Sequence, residues 1–107
     1  MLCRDMECIK GVIRRILEEE GKESDVDIQI TDLPYNQLSV LEGKVVKINS
    51  LRYESMSIQS GNESLIMSTF LIIAILKAIY RDDNEVKRVL ETYLKDNGIA
   101  SKMLNML

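Results

Sequence analysis

The chain has 107 residues, 46% of them hydrophobic and 29% charged, with no His or Trp and a formal net charge of −3. This length and balance describe one globular domain, 1–107, rather than a disordered segment. The acidic balance argues against nucleic-acid binding, which rests on Lys and Arg neutralising phosphates. With no His, two cysteines and no C-x-x-C, it also argues against zinc.

Leu2, Met6, Ile9, Ile13 and Ile16 recur at steps of four and three, and Val12 and Leu17 widen the stripe, so a helix is expected from about Leu2 to Glu19. Gly21 stops it. The basic cluster Lys10, Arg14 and Arg15 is interspersed with Glu7, Glu18 and Glu19 and reads as a solvated face. The start, MLCRDMECIK, is charged almost at once and does not read as a secretory leader. Cys3 and Cys8 point to different sides of a helix, so free thiols and a cytoplasmic chain are expected. Cys8 reads as a half-buried thiol rather than a nucleophile activated by Arg4 or Arg15.

After a polar loop, Val26 to Thr31 alternates Val26, Ile28 and Ile30 against Asp27, Gln29 and Thr31, the pattern of a half-buried strand. The segment around Pro34 and Tyr35 is a turn. Leu38 to Leu41 pairs briefly, Glu42-Gly43 turns, and Lys44 to Ile48 is a second clear strand. Asn49-Ser50 then reads as a tight hairpin leading to a third strand, Arg52 to Gln59. On it Met56 and Ile58 face inward, leaving Tyr53, Ser55 and Ser57 as an exposed polar strip.

Ser60-Gly61-Asn62-Glu63 reads as a capping box that opens the next helix. That helix, near Ser64 to Arg81, is the centre of the chain. Only Ser68, Thr69 and Lys77 interrupt its apolar run between Leu65 and Tyr80. A helix apolar nearly all round must be covered on several sides. It is shorter than the ~20 residues of a membrane span and carries Lys77, which argues against a membrane. Asp82 or Asp83 recaps the chain for a last main helix to about Asp96, with Val86, Val89, Leu90, Tyr93 and Leu94 on its apolar face and Gly98 as its stop. Residues 99–107 form a tail with Ile99, Met103 and Met106 on one stripe, a candidate docking segment.

The expected fold is α+β: an N-terminal helix, a three- to four-stranded antiparallel meander sheet, and a C-terminal helical hairpin packed on one face. No catalytic motif is present, carboxylates form no spaced pair, and no cofactor is implied. The chain therefore reads as a non-enzymatic protein–protein interaction module, an adaptor, regulator or inhibitor. Its partners would be itself, as a homodimer, and another protein. Tyr35, Arg52, Tyr53, Ser55 and Ser57 are the candidate partner-binding residues. Phe70, Ile73, Leu76, Met103, Met106 and Leu107 are the candidate dimer interface, because one small chain has little with which to cover the central helix. A reading from another class places a phosphate or nucleotide at Ser60, Gly61 and Asn62, at a helix N-terminus.

Overall fold

The computed structural model describes residues 5–94 and 97–107. Leu2, Cys3, Arg4 and Asp96, which entered the sequence reading, lie outside them. The order is α1 (Met6–Glu19), β1 (Asp27–Thr31), β2 (Ser39–Glu42), β3 (Val45–Asn49), α2 (Ser50–Ser60), α3 (Ser64–Tyr80), α4 (Asp83–Tyr93) and α5 (Asn97–Met106). The class is α+β, as expected, but several parts of the expected layout are replaced.

The first concerns the sheet. Its order is β1-β3-β2, with β1 parallel to β3 and β2 antiparallel to it. It is therefore a mixed three-stranded sheet and not an antiparallel meander. The β2–β3 hairpin turns on Gly43 and Lys44, with Gly43 at a φ of 61° that a side chain would strain. The β1–β2 connection is longer and passes over the slot that β3 later fills. Ile28, Val46 and Ile48 are buried on one sheet face, while Asp27, Gln29 and Glu42 are exposed on the other. The Ser39 hydroxyl donates to the Ala74 carbonyl at 2.6 Å and ties β2 to α3.

The second correction is α2. Arg52 to Gln59 is helical, so there is no third strand in that segment and no hairpin at Asn49-Ser50. Asn49 is instead the N-cap, its side chain accepting from the Leu51 amide, and Gly61 closes the C-terminus in the left-handed conformation. Arg, Glu, Met and Gln between these two signals all favour helix. Ile58, expected to face inward, is 81% exposed, while Tyr53, expected to face outward, packs inward with its ring 6.3 Å from that of Phe70.

It follows that Ser60-Gly61-Asn62-Glu63 is not a capping box. Ser60 ends α2, and Glu63 is the N-cap of α3 without a side-chain capping bond. Beyond α3 there are two helices rather than one. α4 ends at Tyr93, and the tail forms α5, whose Ala100, Met103 and Leu104 are buried against the core.

One chain covers its central helix after all. Phe70, Ile73, Ala74, Ile75 and Leu76 are 0% exposed, enclosed by the sheet, α1, α2, α4 and α5. Among the described residues no helix is long and apolar enough to cross a membrane. The Glu20 carboxylate, at the end of α1, locks three helices together. It accepts from the Tyr93 hydroxyl at 2.7 Å and the Tyr80 hydroxyl at 3.3 Å, and it pairs with Arg88. The Arg88 bond, helped by that of Tyr93, holds the Glu20 carboxyl down at about 2.

Cys8 is disulfide-bonded, against the expectation of a free thiol. The thiols therefore give no support to a reducing compartment.

Candidate functional site

α2 lies along α3 and leaves a recess on each side. On the α5 side, Arg52, Ser55, Met56 and Gln59 form a stripe at i, i+3, i+4 and i+7, one face of the helix. Across from it, Ile99, Lys102, Met103 and Met106 form a stripe of the same spacing on α5. Ile66 and Phe70 of α3 make the floor. Together they bound a groove in two connected parts. One, of about 280 Å³, is almost wholly apolar; the other, of about 190 Å³, runs to Tyr35 and Leu107. Met56, Gln59 and Met106 line both. Met106 is 71% exposed at the rim, a large apolar side chain left in water beside an apolar recess.

This groove draws together residues that the sequence suggested separately. Tyr35, Arg52 and Ser55 come from the expected partner strip, and Met103, Met106 and Leu107 from the expected dimer interface. The Arg52 guanidinium lies 5.9 Å from the Tyr35 ring centre and donates to the Tyr35 carbonyl at 3.4 Å, so loop and helix are joined at that end. Behind this contact sits Asn49, fully buried. Its amide nitrogen donates to the carbonyls of Gln37 at 2.9 Å, Pro34 at 3.0 Å and Leu33 at 3.4 Å, while its oxygen caps α2 at 3.0 Å. One side chain thus fixes both the loop that carries Tyr35 and the helix that carries Arg52. The sequence reading missed Asn49. An Asn directly before a run of helix formers was the signal available.

The other suggested residues are placed elsewhere. Phe70, Ile73 and Leu76 are buried within the single chain; Ile73 and Leu76 offer a second copy no surface, and Phe70 reaches only the groove floor. Tyr53 faces the opposite recess, and Ser57 donates to the Asn62 side chain.

The Ser60-Gly61-Asn62 turn is poorly equipped for an anion. The amides of Gly61, Asn62 and Glu63 are bonded to the carbonyls of Ile58, Ser57 and Ser60. Asn62 accepts from Ser57, and Ser60 donates weakly to the Ser57 carbonyl and the Met67 sulfur, both at 3.4 Å. A cavity of about 300 Å³ does adjoin the turn, lined by Asp5, Met6, Tyr53, Asn62, Ser64 and Met67 among others. Its charged lining residue is Asp5, and Glu63 caps the adjoining helix, which opposes a phosphate.

Among the described residues no group of three or more His, Cys, Asp or Glu is placed to hold a metal ion. No protein-family model matches the chain, and no curated protein is significantly similar to it.

Proposed function

We propose that this chain is a non-enzymatic protein-binding module that engages another polypeptide, or a second copy of itself, through the groove between α2 and α5. The observation that carries the reading is the pair of facing stripes, Arg52–Gln59 and Ile99–Met106, each at i, i+3, i+4 and i+7 over an apolar floor. Two helical walls over an apolar base are the form of a helix-receiving groove. Met56, Met103 and Met106 suit such a surface, because the unbranched thioether side chain repacks at low cost. Ser55, Gln59 and Tyr35 provide polar contacts at the rim, as interfaces commonly have.

Homodimerisation, in this reading, does not involve the body of α3. A second copy meets the groove, or the outward stripe of α2 where Leu51 is 53% and Ile58 81% exposed. Burying side chains of this size is worth ~1.5–3 kcal/mol each, enough for a weak association and not for an obligate one.

Photo-methionine incorporated throughout the chain tests the proposal. Met6 and Met67 line one cavity, and Met56, Met103 and Met106 line the groove. Illumination in the native host is expected to give interchain cross-links at Met56, Met103 and Met106. Interchain cross-links confined to Met6 and Met67, or none, would count against the groove.

A further inference from the structure

The groove's charge says more about its occupant than its shape does. Among its described lining residues the charged side chains are Arg52 and Lys102, both cationic, in a chain of net charge −3. Arg52 lies in the part that reaches Tyr35, and Lys102 in the more apolar part. Neither is paired with a carboxylate among the described residues. Lys10, Lys44, Lys47, Lys77 and Arg88 have acidic partners; what sets Arg52 and Lys102 apart from the other cations without one is that they line the groove. Among the described residues the Arg52 guanidinium interacts with Tyr35, through the ring face and the carbonyl, and meets no carboxylate.

Length sets the second constraint. Each stripe spans seven residue steps, about 10 Å at 1.5 Å per residue, which is two helical turns. The walls are helices whose main-chain groups are bonded internally, so an added strand would find no ladder.

We infer that the groove takes a short acidic amphipathic helix of a partner protein: two or three turns, apolar side chains on one face, and carboxylates placed to meet Arg52 and Lys102. This rests on the proposed function and names the partner's chemistry. So small a contact lies below the standard interface size, and the complex is weak and fast-exchanging. A second copy is the competing occupant, since α2 itself presents Leu51, Glu54 and Ile58 outward.

The test uses two fluorescein-labelled, helix-stabilised peptides of about three turns. Both carry leucines at i, i+4 and i+7. One is flanked by glutamates and the other by lysines. Anisotropy is measured with the full-length chain at low salt, where charge matters most. The glutamate peptide is expected to bind at least about tenfold more tightly, and Arg52→Glu with Lys102→Glu to reverse the preference. Circular dichroism of the variants confirms that they are folded. Equal binding of both peptides, lost in Met106→Asp, overturns the acidic partner and leaves the groove reading intact. Binding of neither peptide overturns both. A dimer by light scattering that Ile58→Asp dissociates and the glutamate peptide displaces makes a second copy the occupant, and also overturns the inference.

Discussion

Asn49 is the residue on which the geometry of the groove depends most. Replacing it with Ala removes the α2 cap, worth ~1 kcal/mol. It also removes a donor from the carbonyls of Gln37 and Pro34, and from the longer contact to Leu33. The Pro34 carbonyl keeps the Gln37 amide at 2.8 Å, and these carbonyls are only part-buried, so this loss lies at the low end of the ~1–3 kcal/mol of an unsatisfied group, about 1 kcal/mol. The sum is about 2 kcal/mol. At about 4–6 °C per kcal/mol for a chain of this size, the melting temperature falls by roughly 8–12 °C. Two further variants separate the contributions. Asn49→Ser keeps a capping oxygen and loses only the loop clamp, so it is about 1 kcal/mol milder than Ala. Asn49→Asp keeps the cap but sets a carboxylate against three carbonyl oxygens. Burial and those oxygens favour its protonated form, so its penalty shrinks as the pH falls. Thermal unfolding followed by circular dichroism, at neutral and acidic pH, measures all three. A melting point for Asn49→Ala within about 3 °C of wild type, or Ser as damaging as Ala, would refute the double role.

Two more outcomes follow from particular contacts. Glu20 titrates near 2 in the folded chain against 4.5 as its ordinary value, so the unfolded chain binds more protons between them. The contribution of Glu20 is complete above about pH 4.5 and is lost as pH falls through about 2. Glu20→Gln should therefore flatten the acid limb of a stability–pH profile, leaving the smaller slope from Asp27, which Lys10 also holds below its usual value; an unchanged limb would contradict the lock. On the alkaline side, burial and then Glu20 push the Tyr80 hydroxyl up to about 12, so its stabilisation is complete below about pH 10 and lost toward 12; Tyr80→Phe reduces this limb and leaves the part from Tyr93, whose hydroxyl its bond to Glu20 also raises. Ser60→Ala should change stability by less than about 0.5 kcal/mol in chemical denaturation, because Ser60 makes only two long contacts and does not cap α3. A loss of 1 kcal/mol or more would restore the capping box.

The sequence was most informative where pattern is local. The helical stripe of α1, the alternation of β1 and β3, and the apolar run of α3 all declare their elements, because burial on one face or all round leaves a period behind. The segment from Arg52 to Gln59 did not, since Met56 and Ile58 happen to alternate while neither is buried in the core. In α2 burial is slight, and the helix is decided by its ends, Asn49 and Gly61. The parallel β1–β3 pairing left no local mark, because it depends on which edge the chain chooses after Thr31. The groove was legible only in fragments. Tyr35, Arg52 and Ser55 come from one part of the chain and Met103, Met106 and Leu107 from another, and α3 brings them together. The expectation of an uncovered α3 failed for a related reason: residues 99–107, read as a tail beyond a stop at Gly98, fall largely within α5, Asn97–Met106, the helix that completes its cover.

The most direct test of the groove is the ¹³C-methyl methionine spectrum of the full chain, assigned by single Met→Leu substitutions and titrated with the glutamate-flanked peptide. Met56, Met103 and Met106 line the groove, whereas Met6 and Met67 line the cavity on the far side of α2. Progressive shifts of the first three methyls in fast exchange are expected, with Met6 and Met67 unmoved. Shifts at Met6 and Met67 in their place, or none at any methyl up to millimolar peptide, would contradict the groove reading.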